Sequence, residues 1–178
     1  EGAVPMLLGI ARDTVEDLTA KIRRGLEADM LLTSAGVSRG DYDVVKDVLQ
    51  AEGSMDFWRV NMQPGKPLAF GRLGSVPHLG LPGNPVSSMV AFQQFARPAI
   101  LKMRGLTDLD SPTVEVILDE DIPALADGRR QYVRVLLESR ADETLPLPDR
   151  DVAGERLHAR PSGSQDSGVL TSMARADA

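Results

Sequence analysis

The chain has 178 residues, 42% of them hydrophobic and 26% charged, with a formal net charge of −6, which is the balance of a globular protein rather than a disordered one. It has no cysteine, which excludes disulfides and thiol chemistry, and its only histidines, His78 and His158, leave little room for a histidine metal centre or a Ser-His-Asp triad. The acidic balance argues against general nucleic-acid binding, no apolar run reaches membrane-spanning length, and a cytoplasmic protein is expected because the amino-terminal stretch does not read as a secretory leader.

Residues 5–10 (PMLLGI) read as a short buried strand. Asp13 and Glu16 resemble a capping box, and Val15, Leu18, Ile22 and Leu26 then mark one helix face. MLLT at 30–33 is a second apolar strand, followed by a helix from Tyr42 to Ala51. Residues 55–62 are a further strand, and LAFGRL and VPHLGL are two more. LPGNP opens the longest helix, residues 86–104, in which Pro98 predicts a kink or the start of a last segment. This alternation predicts an α/β, three-layer domain with a mostly parallel sheet over residues 1–108.

Beyond GLTDLDSP the character changes. Residues 109–178 contain no lysine and carry the whole excess of negative charge. TVEVILDEDI and RQYVRVLLES alternate as half-exposed antiparallel strands do, and ERLHARP adds a short strand. A small all-β, barrel-like domain over 109–178 is expected. The acidic run Asp119-Glu120-Asp121 reads as a solvated turn, and His78 as a partnered or partly exposed strand residue.

Three segments carry chemistry. TSAGVSRGDYD lies between a strand and a helix, where open α/β sheets bind ligands. Gly36 and Gly40 permit close backbone approach, Ser34 and Ser38 add hydroxyls, and Asp41 and Asp43 are hard oxygen ligands beside an anion cradle. Taken alone, the stretch is equally an ordinary loop with Asp41 as a helix cap. Pro64-Gly65-Lys66-Pro67 is a rigid turn presenting one of only four lysines. In Pro82-Gly83-Asn84-Pro85, Asn84 is a good N-cap and Pro85 a good first helical residue, and the first turn adds free N–H groups and the Ser87 hydroxyl.

Together, TSAGVSRGDYDVVK, PGKPLAFGRL and GLPGNPVSSMVAFQQFARPAILKMRG closely resemble the molybdopterin molybdotransferase (MoeA) family, related to the E domain of gephyrin and its plant counterpart. The resemblance continues through GRRQYVRVLLE and RPSGSQDSGVLTSMARADA. It implies an enzyme of molybdenum cofactor biosynthesis, in which adenylylated molybdopterin and molybdate react with release of AMP and Mg²⁺ takes part. It implies a homodimer in the full-length protein, and further chain on both sides: a strand and helix ahead of residue 1, two more domains, and a last strand. By motif, Asp43, with Asp41 beside it, resembles the acid that holds the metal and pyrophosphate group. Thr33, Ser34 and Gly36 line the same loop, Lys66 and Ser87 resemble molybdate contacts, and Arg129 and Ser167 look like the last domain's contribution. Two positions depart from the family pattern: Ala35 stands at a usual glycine, and Gln63 where several members have lysine. The alternative is a pterin-fold binding or scaffold module without catalysis, which an intact Asp43, Lys66 and Ser87 disfavour.

Overall fold

The computed structural model describes the chain apart from residues 13, 36–46, 50, 124–126, 142–154 and 177–178. The elements in order are α1 (Val15–Gly25), β1 (Leu31–Ser34), β2 (Gly53–Arg59), β3 (Met62–Gln63), β4 (Pro67–Leu73), β5 (Val76–Leu81) and α2 (Pro85–Ala91). A π-helical turn, Phe92–Ala96, joins α2 to α3 (Arg97–Met103). β6 (Ile117–Leu118), β7 (Arg130–Gln131), β8 (Val135–Ala141), β9 (Glu155–Pro161) and α4 (Leu170–Arg175) follow.

Four strands form one sheet in the order β1-β5-β4-β2. Alternation of side chains splits its apolar residues between two faces. Leu31, Leu73 and Val76 pack with Leu18 and Ile22 of α1, whereas Leu68, Leu79 and Leu81 pack with Ala91 and Ala96 of the α2–α3 helix. The three-layer α/β reading therefore holds. The sheet is mixed rather than mostly parallel: β1 runs parallel to β5, while β5–β4 and β4–β2 are antiparallel. The cause is local, because the two-residue turn at Gly74 leaves no room for a crossover between β4 and β5.

Other expectations shift. PMLLGI is not a strand: Gly9 sits at φ 74°, which interrupts an extended run, and Val4, Leu7 and Ile10 are exposed. The cap of α1 is Thr14, whose hydroxyl accepts from Asp17 N, while Val15 faces outward. Asp13 and most of the expected 42–51 helix lie outside the described residues, although 47–49 and 51–52 are helical. Pro98 does begin a last helical segment. Lacking an N–H, it cannot continue the α ladder, and Arg97 N reaches back five residues to Phe92 O. Among the described residues, no helix is long and apolar enough to cross a membrane.

The carboxyl-terminal part is a three-stranded sheet in the order β6-β9-β8, not closed into a barrel among the described residues, and it carries a helix, α4. TVEVILDEDI contributes only β6, which pairs parallel to β9 rather than antiparallel. Asp119 is not simply solvated: it contacts His158 Nδ1 at 2.7 Å and Arg140 at 3.0 Å.

Gly71 marks where the sheet tolerates no side chain. A Cβ there would run into the Ser54 carbonyl and Met55 on β2. Gly71→Ala is expected to cost about 1–3 kcal/mol by overpacking. A urea midpoint that falls at unchanged slope checks this; an unchanged midpoint counts against it.

Candidate functional site

The parallel β1–β5 pair ends both strands at one level, with Ser34 opposite Leu81. Ala35 N extends the ladder to Leu81 O at 3.1 Å, and Ser34 Oγ donates to Pro82 O at 3.2 Å. Ser34 Oγ also lies 3.5 Å from Ser88 Oγ of α2. Gly83 permits this closeness, since a Cβ there would sit 3.2 Å from Ala35 Cβ. The first and third motifs therefore meet. Gly36, Ser38, Gly40, Asp41 and Asp43 lie outside the described residues.

The second motif docks on the same helix start. Gly65 has φ 105°, and a Cβ on it would stand 3.0 Å from Met62 Cε and 3.5 Å from Ser87 O. The turn is pinned by Val60 N donating to Lys66 O at 2.8 Å. Lys66 itself is exposed and forms no ion pair with the described residues. Pro64, Gly65, Pro82 and Ser87 are buried, so one exposed cation stands on a buried base.

At the start of α2, Asn84 occupies the N-cap position and Pro85 the first turn, but the Asn84 side chain makes no capping bond. Its Nδ2 donates instead to Ser167 Oγ at 3.0 Å, and Val86 N donates to Ser167 O at 3.2 Å. Ser167 thus serves as a cap supplied from 83 residues away. The expected set of free helix N–H groups is narrower by that one bond.

Arg129 arrives through β7, which pairs parallel with β3, Met62 opposite Arg130 and Gln63 opposite Gln131. Asn61 Nδ2 donates to Gly128 O, and Tyr132 N to Gln63 O, so this turn lies against the PGKP base. Arg129 is held by Asp127, Nε to Oδ2, at 2.6 Å. Its charge is engaged locally rather than aimed outward.

Two contributors were not picked out as functional in the sequence. Arg134 is buried; its Nε donates to Ser172 Oγ, and its NH2 group donates to the carbonyls of Ser164 and Asp166. Gln165 bonds back to both its N–H and its carbonyl. Burial pulls the guanidinium pKa below its ordinary value, and Asp166 partly offsets this. The signal available in the sequence was an arginine amid apolar residues in QYVRVLL. The second is His78, fully buried, with Nε2 3.0 Å from Thr33 Oγ1 and Nδ1 without a partner. Burial lowers its pKa to about 4, so the ring is neutral near pH 7.

The described half of the site offers hydroxyls, backbone amides and a lysine, which suit an oxyanion. Among the described residues no group of three or more acidic or histidine side chains could hold a metal ion. A cavity of about 780 Å³ lies elsewhere, between the sheet and α3, and its apolar lining of Trp58, Phe70, Phe95 and Met103 does not suit an anion.

Residues 1–102 match the family model of the probable molybdopterin binding domain, which sets the class of the α/β part. Residues 115–178 match the MoeA C-terminal region (domain IV), and with both in this order the chain belongs to the MoeA family. It is 36% identical over 147 residues to molybdopterin molybdenumtransferase 2 of Mycobacterium tuberculosis, covering 79% of this chain and 36% of that protein. It is 33% identical over 199 residues to gephyrin of Dictyostelium discoideum, covering 99% of this chain and 25% of that one. The crystal structure of the molybdopterin biosynthesis MoeA protein of Pyrococcus horikoshii superposes with a TM-score of 0.66 at 26% identity, over 96% of this chain and 37% of that one. The chain thus spans between a quarter and somewhat over a third of these proteins.

Two outcomes follow from this geometry. Ala35 adopts φ 77°, where a Cβ costs about 1–2 kcal/mol. Ala35→Gly is therefore expected to raise stability by about 1 kcal/mol, read as a higher urea midpoint; a lower midpoint contradicts the strain. Arg134→Met removes the clamp on the Ser164–Ser167 loop and is expected to cost about 1.5–3 kcal/mol. Hydrogen exchange at Val86 N should then accelerate. Ser167→Ala should leave that amide protected, because its acceptor is a backbone carbonyl.

Proposed function

We propose that this chain is the molybdopterin-binding and carboxyl-terminal portion of an enzyme that inserts molybdate into adenylylated molybdopterin with release of AMP. One observation carries the reading. Three motifs distant in sequence bring Ser34, the Gly65–Lys66 turn and the Asn84–Ser87 helix start to one end of the parallel strand pair. Membership of the MoeA family supports it, as does the enzyme name of the Mycobacterium relative.

The substrates explain why such donors are needed. A phosphoanhydride carries negative charge on both phosphates, and molybdate is a dianion. Bringing them together in water-poor surroundings requires positive charge and N–H or O–H donors aimed at oxygen. In this reading Lys66 supplies the point charge toward molybdate, from a turn that Val60 N fastens through the Lys66 carbonyl and that lies close to Met62 and Ser87. Ser87, buried in the first turn of α2, adds a hydroxyl, and Ser34 ties the two loops together through Pro82 O.

Among the described residues no cluster of three or more carboxylates or histidines could hold a metal ion, and in this reading, which follows the family resemblance, Asp41 and Asp43 of the TSAGVSRGDYD loop would hold a divalent cation. Mg²⁺ bound there would neutralise phosphoanhydride charge as AMP departs. Asp43 is assigned the metal-holding role and Lys66 the molybdate-facing role.

The test uses the longer enzyme. Lys66→Ala removes a charged hydrogen bond worth about 1.5–3 kcal/mol, a loss of about ten- to a hundredfold in apparent molybdate affinity. High molybdate should restore much of the rate. Asp43→Asn should lower Mg²⁺-dependent turnover in a way that molybdate does not restore. If both variants match wild type across a molybdate series, the chemistry sits elsewhere.

A further inference from the structure

We propose that His78 is a positioning residue for the site: its Nε2–H donates to Thr33 Oγ1 and so leaves the Thr33 hydroxyl hydrogen for a ligand oxygen. This rests on the site reading above for the ligand's anionic character, but not for the state of the ring.

His78 lies on β5 opposite Leu31, two residues before Thr33 reaches the open end of β1. It is fully buried, and the ring has two nitrogens but one partner. A neutral ring leaves two arrangements. If Thr33 donates to Nε2, the ring proton sits on Nδ1 as a buried donor with no acceptor. If Nε2–H donates to Thr33, the unpaired atom is a bare acceptor. Orphaned buried N–H groups are the rarer defect. Histidine tautomers follow the hydrogen bonds their nitrogens make, so the second arrangement is assigned. The low pKa that burial imposes keeps the ring neutral and the choice open to these two forms alone.

The consequence falls on Thr33. Its oxygen accepts from His78, and among the described residues its hydroxyl has no second partner. A hydroxyl whose oxygen already accepts is turned into a directed donor. It stands near the carboxyl end of β1, on the opposite face from Ser34, whose own hydroxyl hydrogen is committed to Pro82 O, so of these two hydroxyls Thr33 is the one with a hydrogen to give. An apolar residue at 78 would let the Thr33 hydroxyl rotate freely.

Two measurements test this on the full chain. Long-range ¹⁵N spectra of histidine-labelled protein show two rings, and His158→Gln assigns them. A protonated Nε2 and bare Nδ1 at His78 is expected; a protonated Nδ1 or a doubly protonated ring at pH 7 overturns the proposal. The second is AMP titration in the presence of Mg²⁺. Thr33→Val should weaken AMP about tenfold, the worth of one hydrogen bond to a charged group. His78→Leu should lose most of the same factor, His78→Gln should recover part of it through its amide donor, and the double variant should be no weaker than Thr33→Val alone. Additive losses overturn the coupling. If wild type does not bind AMP, the site reading fails while the ring tautomer still decides the role of His78.

Discussion

The parallel pairing of β1 with β5 sets the height at which everything else in the site meets. Ser34 ends opposite Leu81, so the chain leaves both strands at one level and the next residues must pass one another. Gly83 makes that passage possible, and the strained φ of Ala35 is its cost. Antiparallel pairing would have sent the two loops to opposite ends of the sheet. The site therefore depends on a backbone register before it depends on any side chain.

The second constraint is the attachment of the carboxyl-terminal part. β7 pairs with β3, and Ser167 caps α2, so residues after 127 complete structure begun before residue 90. The attachment is partly apolar, with Tyr132 and Met173 packed against Met62, Val86 and Val90, and partly polar, through backbone bonds and through Arg134, which holds two loop carbonyls from a buried position. Buried charge of this kind is expensive where it is left unbonded, and although Nε and Nη2 of Arg134 are bonded, its Nη1 is buried without a partner among the described residues. A clamp of this type favours a single loop arrangement over a range of them, because any other leaves carbonyls and guanidinium unpaired together.

Function follows from where charge is concentrated. The described strand ends bring hydroxyls, amides and Lys66 together, and the carboxylates invoked for a cation belong to the neighbouring Asp41–Asp43 stretch. A phosphoanhydride needs both kinds of partner.

Patterns within a few residues were legible in the sequence alone. β4, β5 and β9 lie where apolar alternation and turn residues put them, and Pro98 begins its helical segment because a missing N–H acts within one turn. The motif residues Ser34, Gly65 and Asn84 were legible as candidates because loop chemistry is written in Gly, Pro, Asn and Ser. Longer-range choices were not. PMLLGI has a strand's composition, yet Gly9 at positive φ breaks its extension. TVEVILDEDI alternates correctly but pairs parallel, over only two residues. Asn84 has the residue type of a cap, while Ser167 accepts the helix N–H. His78 reads as any strand histidine until the register sets it beside Thr33. Local periodicity is encoded by neighbours in the chain, whereas register, capping from afar and the protonation of a buried ring depend on which groups folding brings within hydrogen-bond distance.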